Sequence, residues 1–277
     1  MLRLTNVAAS SEYPPLHTPL ASFYHPLVTT APTILPERWM LSVVSADGTI
    51  DRLSYDELVA RPYAEVDATL WSAYQHPDEP RLATGRWRGV WLRQLFPQST
   101  RGVTVTSANG QSACLDEGML ARGLLAYAVN GQQIPAEHGS PARIIIPGAY
   151  DHQMPGWVRR ITCSPTGVTP PPPSRADNPC AIMASIEIPD AATRHAPIHL
   201  RGYAYAGLHD IDSVELSIDE AEWIPLEWLR GEAGVWSRWR AAWTPSHGGL
   251  FQVSIRARAG RHSVVTRRII RVEAAQA

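Results

Sequence analysis

The stretch EHGSPARIIIPGAYDHQMPGWVRRITC, residues 137–163, holds a His and an Arg close together, three consecutive Ile, a Pro-Gly turn and an aromatic-basic end. A continuous branched apolar run between turn residues is the pattern of a strand buried on both faces, so ARIIIP, 142–147, is read as a buried strand. The loop before it carries His138 and the strand begins near Arg143. Those two side chains either line a ligand site or satisfy local backbone groups, since Arg pairs bidentately with phosphate and His can donate to an anion.

Upstream, WMLSVVSADGTIDRLSYDELVA, 39–60, opens as a strand, turns at SADG and continues into a short helix from Ser54. Ser54 and Glu57 have capping-box spacing. GRWRGVWLRQLF, 85–96, is read as a Gly turn into a helix, with Val90, Leu92 and Leu95 available for burial. GVTVTSANG, 102–110, alternates as a strand does. MLARGLLAYAVNGQQI, 119–134, is helical or extended and then turns at Asn130-Gly131.

Downstream, TGVTPPPPSRADNPC, 166–180, is a proline-rich linker, because consecutive prolines continue neither a helix nor a central strand. It separates a domain at 36–165 from one at 181–277, and residues 1–35 form an extended N-terminal arm. Short alternating segments after the linker fit an antiparallel β-sandwich. Trp223, Trp228, Trp236, Trp239 and Trp243 crowd that half of the chain, where they pack a core or form a carbohydrate or partner surface.

The chain has 277 residues, 44% of them hydrophobic, and a formal net charge of -1 from 25 basic and 26 acidic residues. No basic surplus favours nucleic acid or an anionic membrane. Every basic residue is Arg. Cys114, Cys163 and Cys180 form no CxxC pair, which disfavours a zinc ribbon or a disulfide framework. The first residues lack the apolar core of a signal peptide, and no run approaches a membrane span, so the expected location is cytoplasmic by default. Asp210, Asp212, Asp219 and Glu220 lack the spacing of a calcium loop and are read as solvated charges.

Four motifs in one order carry a resemblance: ERWMLSVVSADG (37–48), GRWRGVWLRQLF (85–96), LLAYAVNGQQIPAEHGSPARIIIPG (124–148) and RGYAYAGLHDIDSVELSIDEAEWIPLEW (201–228). Together with WSRWRAAWTPSHGG and IRARA they resemble the sulfite oxidase family of molybdopterin-dependent oxidoreductases. The resemblance implies an α+β fold: a sulfite-oxidase-type molybdopterin-binding domain followed by an immunoglobulin-like β-sandwich used for dimerisation. It implies a molybdenum-pyranopterin cofactor, with His138 and Arg143 as contacts to the pterin and its phosphate. It also implies a homodimer or partner protein held through the C-terminal sandwich.

The chain departs from the family pattern at the chemistry. The family holds molybdenum with a Cys thiolate, a soft donor suited to that metal, and the best alignment puts Ser72 of TLWSAYQ at the ligand position. In the family's F-x-x-R-N-H arm, Pro26, Leu27 and Val28 of FYHPLVTTAP take the polar places, with His25 as a shifted candidate. Gly156 stands where the family has Lys, and QHPDEP replaces an Arg-bearing stretch. No catalytic residue is assigned. The resulting expectation is a divergent member without sulfite oxidase activity, acting as a binding or accessory subunit. The alternative is an active molybdenum-cofactor oxidoreductase with altered metal ligation through Ser72.

Overall fold

The alternating segments of the sequence become sheets. The computed structural model describes residues 13–23, 31–72, 82–169, 182–189 and 192–273. They fall into two units, His17–Asn178 and Met1–Leu16 together with Pro179–Ala277. Of the expected arm, the described residues 13–16 group with the C-terminal unit. Within the proline-rich linker, residues 170–180 lie outside the described residues, as do His25, Cys180 and the QHPDEP segment.

The His17–Asn178 unit runs β1 (Met40–Val44), β2 (Ile50–Ser54), β3 (Ala64–Trp71), β4 (Leu82–Trp91), β5 (Gly102–Ser107), β6 (Ser112–Asp116), β7 (Leu124–Val129), β8 (Gln132–Gln133), β9 (Arg143–Ile145) and β10 (Val158–Ser164). One sheet has the order β2-β1-β10-β5-β6, the other β3-β4-β7-β8 with β9 paired to β7. Trp39, Trp87, Leu120, Ile144 and Val158 belong to one hydrophobic cluster fed by both sheets. The helix α1 (Tyr55–Val59) begins as its sequence dictates: the Glu57 amide donates to Ser54 Oγ at 3.3 Å, and the Ser54 amide donates to the Glu57 carboxylate at 2.8 Å. Asn130 and Gly131 take φ of 50° and 77°, the paired left-handed residues a two-residue hairpin needs between β7 and β8.

Two segments differ from the sequence reading. Residues 85–96 are not a helix. They form most of β4 and a 3-10 turn, Leu92–Gln94. The reason lies across the sheet. Arg86 and Arg88 stand opposite Asp67 and Glu65 of β3 in register, and each Arg ion-pairs with its carboxylate at 3.0 Å and 2.6 Å. Opposite charges directly across a strand pair favour the sheet, and Trp87 between them turns inward to complete burial. Residues 119–134 divide: α2 (Glu117–Arg122), capped by Asp116, ends at Gly123, and β7 follows. The fold of this unit is thus mainly β, with the expected α content reduced to these two short helices and 3-10 turns among the described residues.

The second unit contains β11 (Met183–Ala184), β12 (Ala192–Thr193), β13 (Ile198–Tyr205), β14 (Ser213–Ile218), β15 (Ile224–Pro225), β16 (Trp228–Leu229), β17 (Ser237–Trp243), β18 (Gly249–Ala259) and β19 (His262–Glu273). Its sheets, β11-β13-β17-β16 and β12-β19-β18-β14-β15, contribute to one core. Trp239 and Trp243 lie in that core and Trp228 packs against it, whereas Arg256 sits 4.3 Å over the Trp223 ring. Among the described residues no helix is long and apolar enough to cross a membrane.

A register irregularity falls between Arg88 and Gly89 of β4, where the strand passes close over β7. A Cβ at Gly89 would lie 2.3 Å from the Leu125 carbonyl oxygen. Gly89→Ala is expected to lower stability by roughly 1–3 kcal/mol, as overpacking against backbone does, measured by urea denaturation.

Candidate functional site

The quoted stretch folds back on itself. Residues Ala136–His138 form a 3-10 turn that ends at Gly139 in the left-handed region, φ 105°. The chain then enters β9 at Arg143 and returns past Gly156 into β10. The two passes touch through glycines. A Cβ on Gly156 would lie 2.5 Å from the Gly139 Cα, and a Cβ on Gly139 would lie 2.7 Å from the Gly156 Cα. Hydrogen bonds sew the contact closed. The Trp157 amide donates to the Gly139 carbonyl at 2.9 Å, the Ile144 amide to Pro155 at 2.9 Å and the Val158 amide to Ala142 at 3.1 Å.

Trp157 has φ 51°, an uncommon conformation for a bulky residue. Its surroundings over-determine it. The indole Nε1 donates to the Ala136 carbonyl at 2.8 Å, and its carbonyl accepts from the Ala108 amide at 2.8 Å. Such backbone strain is of order 1–3 kcal/mol and persists where surrounding bonds fix it.

His138 and Arg143 come together in this fold. Both are 2% exposed, and Arg143 Nη1 donates to the His138 carbonyl at 2.9 Å. The His138 ring meets Phe23 edge-on at 5.6 Å, and Phe23 in turn meets Trp87 at 6.0 Å. Phe23 thus belongs to the site, and only the arm motif FYHPLVTTAP hinted at it. The amides of His138, Gly139 and Ser140 all donate to carbonyls of Pro135 or Ala136. The turn therefore presents no backbone nest to an anion. The groups in this turn with the chemistry to meet an anion are the Arg143 guanidinium and the His138 ring.

Ser72 follows β3 directly and is 4% exposed. Trp71 beside it stacks on Tyr150 at 4.2 Å and 23°, and Tyr150 stacks on His152 at 5.6 Å. This aromatic stack was not read from the sequence, although Trp71 adjoins the candidate ligand. The register places Ala68 opposite Gly85, against which the Phe23 ring lies. At about 3.3 Å per residue, Ser72 is on the order of 13 Å farther along β3 than Ala68. A ligand that touches both the Phe23–His138 end and Ser72 has to be elongated.

The residues present fit one end of a molybdenum-pyranopterin and not the other. A buried Arg and His suit a phosphate or pterin edge. At the end where the resemblance expects the metal, Ser72 would supply a serine hydroxyl, a hard donor that must lose its proton to ligate, in place of a soft thiolate. Cys114 is on β6 and Cys163 on β10, both in the sheet that does not contain β3. Burial pushes the Cys163 thiol up, against a smaller opposing effect of Thr100, so it resists becoming a thiolate. Among the described residues no three His, Cys, Asp or Glu side chains gather as a metal site. The acidic loop residues of the second unit are engaged locally, with Asp212 accepting from the Gly260 amide at 2.6 Å and Asp219 from the Gln252 amide at 2.7 Å.

Comparison with known proteins agrees with this architecture. The family described as oxidoreductase molybdopterin binding domain matches residues 28–169. Sulfite oxidase of Gallus gallus is 25% identical over 80% of this chain and 62% of its own, and mitochondrial sulfite oxidase of Homo sapiens is 28% identical over 53% of this chain and 33% of its own. The chain thus spans between a third and two thirds of these curated relatives. The sulfane dehydrogenase SoxCD of Paracoccus pantotrophus superposes with a TM-score of 0.75 at 18% identity, over 91% of this chain and 75% of that one, which is a likeness of fold.

Because Gly139 occupies the space a side chain at 156 would need, Gly156→Lys is expected not to restore a cationic contact. It should instead lower stability by roughly 1–3 kcal/mol, with Gly156→Ala behaving alike. Thermal unfolding of both variants checks this. A Gly156→Lys protein as stable as the parent would show that the glycine contact opens freely.

Proposed function

The chain belongs to the sulfite oxidase family of molybdopterin-binding oxidoreductases, and from that premise we propose that it is a divergent member without sulfite oxidase activity. In this reading it serves as a binding or accessory subunit. Its C-terminal unit is an immunoglobulin-like sandwich whose surface holds a partner protein or a second copy. Its first unit keeps the family scaffold and the His138–Arg143 end of the cofactor site.

One feature supports the reading most: the alignment that puts the buried Ser72 at the position of the family's metal-ligating Cys. Sulfite oxidation asks for a metal poised to accept electrons and a cationic pocket for the anion. A hydroxyl donor is a poor substitute for thiolate at such a metal. Gly156 adds to the case, since its backbone contact with Gly139 leaves no room for the family's Lys. Loss at the metal end and retention at the folding positions suggest a scaffold put to another use.

The competing reading keeps the metal and ligates it through Ser72. It is supported by the burial of Ser72 and by the retained His138–Arg143 pair. Sulfite oxidation measured with an artificial electron acceptor, on protein produced in a host that makes the cofactor, separates the two. The expected rate is indistinguishable from the blank. Turnover that disappears in Ser72→Ala would overturn the accessory-subunit reading and establish Ser72 as a ligand.

A further inference from the structure

Of the five crowded Trp residues, Trp236 does something different from the core pair. β13 and β17 lie side by side, with Tyr203 opposite Arg238 and Arg201 opposite Arg240. The alternation of a strand puts Trp239 and Ala241 into the core and Tyr203, Arg238 and Arg240 on the outer face. Trp236 precedes β17 and stacks on Tyr203 at 3.7 Å and 22°. The result is an aromatic platform flanked by two guanidinium groups.

Tyr13-Pro14-Pro15-Leu16 of the arm lies on that platform, within the same unit. Two successive prolines fix φ near -65° and push the residue before each into extended geometry, so the segment is preorganised as polyproline II. Polyproline II has no internal hydrogen bonds and leaves its carbonyls available. Here three successive carbonyls are each taken by a side chain. Pro14 accepts from Arg238 Nη1 at 3.1 Å, Pro15 from the Tyr203 hydroxyl at 3.4 Å and Leu16 from Trp236 Nε1 at 2.9 Å. The Arg240 guanidinium lies 4.2 Å over the Tyr13 ring. Pro14 is buried and Pro15 exposed, as expected of a helix that presents only part of its circumference. The contacts run antiparallel to β17: Tyr13 at 240, Pro14 at 238, Leu16 at 236. Burial pushes the Tyr203 phenol up to about 12, which keeps it a neutral donor at ordinary pH.

Side-chain donors that read the carbonyls of a preformed proline helix over stacked aromatics are the mode by which proline-rich peptides are recognised. We infer that the outer face of β13 and β17 is a receptor for extended Tyr-Pro-Pro-Leu segments, with the chain's own arm as its resident ligand. The partner it fits is a protein that presents a proline-rich segment of the same order, Tyr before two prolines and an apolar residue after them. Such a partner competes with an arm that is covalently attached and therefore present at high effective concentration. This inference rests on the reading of the sandwich as a binding surface and names what it binds. It is read out by peptide binding, whereas the loss of metal ligation is read out by turnover and metal content, so either can fail alone.

The test uses the full chain and a fluorescein-labelled peptide, SSEYPPLHT (residues 10–18), followed by fluorescence anisotropy. Pro14→Ala/Pro15→Ala in the chain weakens the resident ligand without touching the platform. This variant is expected to bind the peptide roughly ten-fold or more tightly than the parent, because the competing arm is weakened. Adding Arg238→Ala or Tyr203→Phe, both at partly exposed positions, should reverse the gain, and a scrambled peptide should not bind. A folded double variant, judged by circular dichroism, that binds the peptide no better than the scrambled one would overturn the proposal. A parent that sediments as a dimer and becomes a monomer in the double variant would overturn the assignment of the chain's own arm as resident ligand, because the platform would then be serving a second copy's arm.

Discussion

The approach of Gly139 to Gly156 is the constraint on which the candidate site depends. Two backbone segments meet with no side chain between them, at a separation where a single Cβ would collide. That contact lets the Trp157 amide reach the Gly139 carbonyl and lets its indole reach Ala136. It also sets the path of the 136–143 turn, and so the place where Arg143 grips the His138 carbonyl. Phe23, Trp87 and the β3–β4 pair then close around this turn. A chain built in this way has fixed the places of His138 and Arg143 and has closed position 156 to any longer residue.

The metal end follows a different logic. Position 72 is buried at the end of a strand beside an aromatic stack. In the proposed alignment the hydroxyl there is a change of chemistry with the fold retained. Position 156 is a change of chemistry that the fold has absorbed. The two departures therefore carry different weight: under the proposed alignment the first is one substitution from the family pattern, whereas the second needs the opposing glycine to move as well.

How much was legible in the sequence depended on how far apart the deciding partners lay. The Ser54–Glu57 cap, the Asn130-Gly131 turn and the 142–147 strand are local patterns, and each reads directly. Residues 85–96 read as a Gly turn into a helix, with Val90, Leu92 and Leu95 available for burial. What overrules them is Glu65 and Asp67, on a strand whose pairing no local window contains. His138 and Arg143 could be placed as candidates from motif resemblance alone. Their shared burial and the Phe23 contact, which joins residues over a hundred positions apart, could not. The Gly139–Gly156 contact was invisible for the same reason, and so was the arm on the sandwich, where Trp236 and Arg238 reach back to Leu16 and Pro14.

The proposed replacement of the ligating thiolate by the Ser72 hydroxyl implies that the chain does not retain molybdenum. The direct measurement is elemental analysis for molybdenum, paired with the fluorescence of oxidised pterin released on denaturation, on protein purified from a cofactor-competent host. The account predicts no molybdenum above background, whether or not a pterin is retained at the His138–Arg143 end. Stoichiometric molybdenum together with pterin in the unaltered chain would contradict it.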